Sequence, residues 1–80
     1  MEKEFKEAIA WLEDGFDIVL ICDGYEYELM QADSYLGSEG QDGYISQVMG
    51  NIIYKNAQDA LQESIKHLTA KEYDVRIRLQ

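Results

Sequence analysis

Eighty residues with a formal net charge of −9 make one domain, and the anionic excess argues against direct binding to nucleic acid or to an anionic membrane, because both need Lys and Arg set against phosphates. A single cysteine, Cys22, and a single histidine, His67, exclude an internal disulfide and offer no zinc set, so no metal and no cofactor is expected. Hydrophobic residues at 46% argue for a folded globule rather than an acidic disordered tail, and the lack of a basic start or a long apolar run predicts no targeting or membrane segment and a cytoplasmic location.

The first predicted element is a helix over residues 3 to 14. Phe5, Ala8, Ile9 and Leu12 recur at i, i+3, i+4 and i+7, and Gly15 closes the run as a C-terminal cap. Glu13 and Asp14 lie at the helix end where the dipole disfavours carboxylates, by a few tenths of a kcal/mol each, roughly. Trp11 falls to the side of the stripe, which makes it either an edge-of-core residue or an exposed binding anchor.

Ile18 to Cys22, then Asp23-Gly24, then Tyr25 to Met30, has the chemistry of a two-residue type I′ hairpin. That loop length sets Cys22 against Tyr25, Leu20 against Tyr27 and Ile18 against Leu29, gathering one apolar face. The other face sets Ile21 against Glu26 and Val19 against Glu28 and needs a cover or a counter-charge.

From Gln31 to Gly43 the chain is rich in Gly, Ser and acids and has no period, so it reads as an exposed loop. Gly37, Gly40 and Gly43 do not make a phosphate cradle, which would require a strand, a helix and no surrounding acids. A calcium loop starting at Asp33 would place Tyr35 and Gly37 at liganding positions. The loop is either simply solvated or a mobile acidic recognition loop with Tyr35 as an outward contact residue.

Tyr44 to Val48 and Ile52 to Lys55 read as two strands about a Gly50-Asn51 turn, the alternative being one bulged strand from Tyr44 to Tyr54. Asn56 caps a second helix, Ala57 to Thr69, with the stripe Ala57, Ala60, Leu61, Ile65 and Leu68. Lys66 and His67 suit its last turn, and His67 is placed to pair with Glu63. The chain closes on strict alternation, with Tyr73, Val75, Ile77 and Leu79 inward and Arg76 and Arg78 outward, where they would face Glu26 and Glu28. The elements together predict an α+β fold: a helix, an antiparallel sheet of four to five strands, a second helix packed on one sheet face, and a C-terminal strand returning to the sheet. Strand order is left open.

The charge is uneven along the chain. Glu7 to Tyr54 holds no Lys or Arg but carries Glu7, Glu13, Asp14, Asp17, Asp23, Glu26, Glu28, Asp33, Glu39 and Asp42. Chemistry for catalysis is lacking, since Cys22 falls on the apolar hairpin face and no pair of acids is singled out by spacing, so no enzymatic activity is expected. A concentrated negative field predicts attraction to a basic protein surface, with Glu13, Asp14, Asp23, Glu26, Glu28, Asp33, Tyr35, Glu39 and Asp42 as the candidate contact residues.

Six tyrosines among these acids, together with the order helix, strands, helix, resemble at the level of class the small acidic inhibitors encoded by phages and mobile elements, including anti-CRISPR proteins and glycosylase inhibitors. The resemblance implies a non-enzymatic DNA mimic that blocks a basic nucleic-acid-binding protein such as a nuclease effector. Gly43-Tyr44-Ile45-Ser46-Gln47-Val48 followed by Asn56-Ala57-Gln58-Asp59-Ala60-Leu61 is similar, more faintly, to HicB-type antitoxin domains, although the chain has no proline and the leading helix is foreign to them. That alternative implies a small regulatory homo-oligomer. A stabilising subunit whose charge serves only solubility is a third reading.

Overall fold

The computed structural model describes residues 2–35, 37–70 and 74–80. In chain order these form α1 (Glu2–Glu13), β1 (Ile18–Cys22), β2 (Tyr25–Gln31), a short 3-10 turn (Ala32–Ser34), β3 (Tyr44–Ser46), β4 (Ile52–Tyr54), α2 (Ala57–Thr69) and β5 (Val75–Leu79). The strands make one antiparallel sheet in the order β4-β3-β2-β1-β5. The fold is α+β, with five strands, both helices against the sheet, and β5 returning to pair with β1.

The Asp23-Gly24 turn produces the expected register, Cys22 opposite Tyr25 through Ile18 opposite Leu29. Both turn residues have positive φ, 51° and 81°, as a type I′ loop demands of its two central positions. Alternation then sends Ile18, Leu20 and Cys22 of β1 and Tyr27 and Leu29 of β2 to the helix side. There they pack with Ala8 and Leu12 of α1 and Ala57, Ala60, Leu61 and Leu68 of α2. Leu12, Leu20, Leu29 and Leu61 are wholly buried. Each contributes about 1.5–3 kcal/mol in apolar transfer, so this cluster carries most of the stability.

α2 has the predicted bounds. Asn56 stands at its N-cap, where the side-chain oxygen accepts from the Asp59 N–H at 2.8 Å. Lys66 and His67 do occupy the last turn, but Glu63 and His67 are both exposed and form no ion pair. Two solvated side chains gain too little from such a pair to be held in one geometry. The stripe also contains a residue that periodicity passed over. Ser64 is fully buried; its hydroxyl donates to the Ala60 carbonyl at 2.6 Å and accepts from the Ser46 hydroxyl of β3 at 2.5 Å.

Strands β3 and β4 are shorter than the sequence suggested. The Gln47 side chain, rather than its backbone, takes the Glu28 N–H at 2.9 Å, so the ladder ends at Ser46 and the turn runs through Gln47 to Asn51. β5 begins at Val75; the inward placement expected of Tyr73 lies outside the described residues. Arg76 and Arg78 turn to the face away from the helices, and the Arg78 guanidinium meets Glu26 at 3.1 Å. Both side chains are about half exposed, so this pair is worth no more than about 0.2–1 kcal/mol. Val19, Met30 and Ile45 also point away from the helices yet are nearly buried, so the outer face is not a bare polar surface.

Candidate functional site

The predicted contact residues fall into three places. Glu13 and Asp14 end α1, Asp33, Glu39 and Asp42 belong to the loop after β2, and the Gln31 side chain brings these segments together. Its amide nitrogen donates to the carbonyls of Leu12 at 3.1 Å and Glu13 at 3.4 Å, tying the C-terminus of α1 to the end of β2. The Ala32 N–H donates to the Gly43 carbonyl at 2.8 Å, which closes the loop at its base. Asp17, just before β1, and Asp59, in the first turn of α2, lie at this same end of the sheet, and the lysine placed there by the topology is Lys55. An acidic end results, which topology rather than sequence proximity assembles.

Glu26 and Glu28 are elsewhere. They stand on the outer sheet face with Arg76 and Arg78, where Arg78 pairs with Glu26 while Arg76 and Glu28 form no ion pair among the described residues. Asp23 is at the hairpin tip, the far end of β1 from Asp17. The nine candidates therefore do not form one surface; Glu13, Asp14, Asp33, Glu39 and Asp42 lie at one end of the sheet, with Asp33 and Asp42 lining one cleft, while Asp23, Glu26 and Glu28 lie elsewhere.

Within the acidic end the loop is organised by its own carboxylates. Asp33 Oδ1 accepts from the Gly40 N–H at 2.6 Å, and both oxygens of Glu39 accept from the Gly37 N–H, at 2.7 and 3.0 Å. These two acids hold the loop's shape as well as adding charge. Tyr35, expected to point outward, is instead half-buried, and its hydroxyl accepts from Asn51 Nδ2 at 3.1 Å, linking the loop to the β3–β4 turn. The loop has more internal structure than its composition suggested, because its polar side chains bond backbone groups that solvent would otherwise take. Gln31, Asp33, Gly40, Gln41, Asp42, Gly43 and Tyr44 line an open cleft of about 440 Å³.

The end of α1 was legible only in part. The Gly15 N–H donates to Leu12 and the Phe16 N–H to Trp11, with Gly15 at φ 96°, which is the paired hydrogen-bond pattern of a Schellman cap. The apolar contact that accompanies such a cap is here aromatic. Phe16 stacks on Trp11 with ring centroids 4.5 Å apart. Trp11 is half-buried at the core edge, and its Nε1 donates to the Gln80 carbonyl at 2.9 Å. Phe16 remains 49% exposed. Sequence reasoning singled out Trp11 and missed Phe16; the signal was an aromatic residue directly after the capping glycine.

For chemistry the site holds carboxylates, amides and aromatic rings. Among the described residues no group of three or more His, Cys, Asp or Glu could hold a metal ion, and Cys22 is buried against the helices. No helix among the described residues is long and apolar enough to cross a membrane.

What the fold defines is a class, an α+β protein with two helices on a five-stranded antiparallel sheet and a carboxylate-rich end. Comparison with family profiles, with curated proteins and with solved structures found no match to this chain.

Proposed function

We infer that the chain is a non-enzymatic, acidic protein-binding inhibitor that occupies the basic nucleic-acid-binding surface of a nuclease or another nucleic-acid-binding protein, as anti-CRISPR-type DNA mimics do. The observation that carries this reading is the convergence of Glu13, Asp14, Asp33, Glu39 and Asp42 from a helix end and a loop onto one end of the sheet, with Lys55 the lysine placed there. Such a concentration of charge steers a basic partner and presents acceptors where phosphates would lie. The outer-face acids Glu26 and Glu28 are assigned no role in binding, since they lie on a face away from this end and Glu26 is paired with Arg78.

The test is inhibition of substrate cleavage by a panel of nucleases with basic channels, CRISPR effectors included. Inhibition should weaken about tenfold or more between roughly 50 and 200 mM salt and be relieved by competing duplex DNA. Replacing Glu13, Asp14 and Asp42 together by Lys should abolish it. Glu13 and Asp14 lie at a helix C-terminus, where lysine suits the dipole, so that variant retains its fold. Lys at Glu26 and Glu28 should leave inhibition within about twofold, since charges on another face, away from the acidic end, contribute little. If no member of the panel is inhibited, or if the triple variant inhibits as well as the parent, the reading is wrong.

One observation favours a second reading, a HicB-like antitoxin or other regulatory oligomer. β4 is an edge strand with an open backbone, and Ile52 on it is 51% exposed. An oligomer built there would show a melting temperature that rises with protein concentration and would survive the charge reversals.

A further inference from the structure

We propose that the exposed face of Phe16, backed by Trp11, is the anchor of the partner-binding surface and receives an arginine side chain of the basic partner. The proposal rests on the acidic-surface reading above and adds to it the position and the chemistry of the central contact.

The first observation is exposure combined with rigidity. Phe16 shows half its surface to solvent, yet it is held by the Schellman cap at its own backbone and by the ring of Trp11 beneath it. Trp11 in turn is tied to the Gln80 carbonyl, and the Gln80 N–H donates to the Asp17 carbonyl at 3.2 Å. Leu79, 38% exposed, precedes Gln80 on the same edge. A ring fixed in this way loses little freedom when a partner covers it.

The second observation is the charge around the ring. On α1, Glu7 lies one turn before Trp11 and Asp14 lies one turn after it, and Asp17 follows Phe16 directly. The lysines of α1, Lys3 and Lys6, are toward its other end. Arg78, though next to Leu79 in sequence, turns to the opposite sheet face and bonds Glu26.

An aromatic face among carboxylates is complementary to a cation with a flat apolar surface. Guanidinium fits better than ammonium, because it stacks on the ring while its edge donates to a carboxylate in bidentate fashion. A second copy of this chain is a poorer occupant: a symmetric contact would set Asp14 and Asp17 of both copies against each other.

Trp11 is the chain's one tryptophan, so its emission reads this site directly. Nona-arginine and nona-lysine serve as probes at about 50 mM salt, with affinity from calorimetry and occupancy from Trp11 fluorescence. Nona-arginine should bind about two- to fivefold tighter than nona-lysine and change the Trp11 emission. Phe16→Leu, which keeps an apolar contact over Trp11 but has no aromatic face, should bring nona-arginine down to the affinity of nona-lysine and so remove that preference.

Equal affinities for the two peptides, or a Phe16→Leu variant that retains the arginine preference, would overturn the anchor and leave the acidic-surface reading standing. Binding of neither peptide would remove both. Self-association in sedimentation that Phe16→Leu abolishes would make a second copy the occupant and also overturn the proposal.

Discussion

Ser64 interrupts the apolar stripe of α2, and its hydroxyl is spent on the Ala60 carbonyl, so the buried Ser46 hydroxyl depends on Ser64 as its acceptor. The pair is therefore asymmetric. Ser64→Ala strands a buried donor and should cost about 1–3 kcal/mol, whereas Ser46→Ala leaves Ser64 bonded and should cost about 0.5–1.5 kcal/mol. Urea unfolding of both variants and of the double variant would check this; the double variant should fall short of the sum, because the two side chains share one interaction. A serine among Ala60, Leu61 and Leu68 marks a buried polar position, but its partner depends on which strand the helix crosses. Tyr54 offers a second check. Burial first, then Glu63 and Asp59, hold its phenol above the ordinary value of 10.0. The unfolded chain then releases the proton first, so stability is intact below pH 10 and declines as pH rises from there through the higher folded value. Tyr54→Phe should lack that part of the alkaline decline in thermal melts across the same range.

Elements closed by neighbouring residues could be read directly. Asn56 defines the start of α2 and Asp23-Gly24 defines the β1–β2 register, since each acts through bonds within a few residues. Asn56→Ala should destabilise the fold by about 1 kcal/mol in chemical denaturation, and Asn56→Asp should recover only part of the loss, because the new carboxylate accepts the same N–H but faces the Asp59 carboxylate, to which the Asn56 amide donates at 3.2 Å. What was not legible depends on longer reach. Alternation in Val75 to Leu79 gives the two faces of β5 but not its neighbour, and β1 rather than β4 takes it. The acids of the loop looked like free charge; Asp33 and Glu39 bond Gly40 and Gly37 instead, which no periodicity encodes. Gln31 read as the first loop residue, while as the last residue of β2 its side chain reaches α1 and assembles the acidic end.

For the whole molecule, the charge of −9 is distributed over several places, among them an outer face where Arg78 pairs with Glu26 and an end of the sheet that holds Glu13, Asp14, Asp17, Asp33, Glu39 and Asp42. Crowded like charges repel in the folded state more than in the extended chain, so salt should stabilise this protein even though it weakens partner binding. The melting temperature should rise by a few degrees, roughly, between about 10 and 200 mM NaCl, in calorimetry at pH 7. A melting temperature that falls with salt would mean that ion pairs such as Arg78–Glu26 outweigh the repulsion.

The position of β1 has a consequence for synthesis. Ile18 to Cys22 is apolar on both faces and lies between β2, which follows it at once, and β5, which comes some fifty residues later. While the ribosome is still making the intervening chain, one side of that strand offers unpaired N–H and C=O groups and a run of β-branched side chains to any passing polypeptide. Translation pauses before Val75 should therefore raise the insoluble fraction in cells, and a chaperone that shields an open strand should lower it.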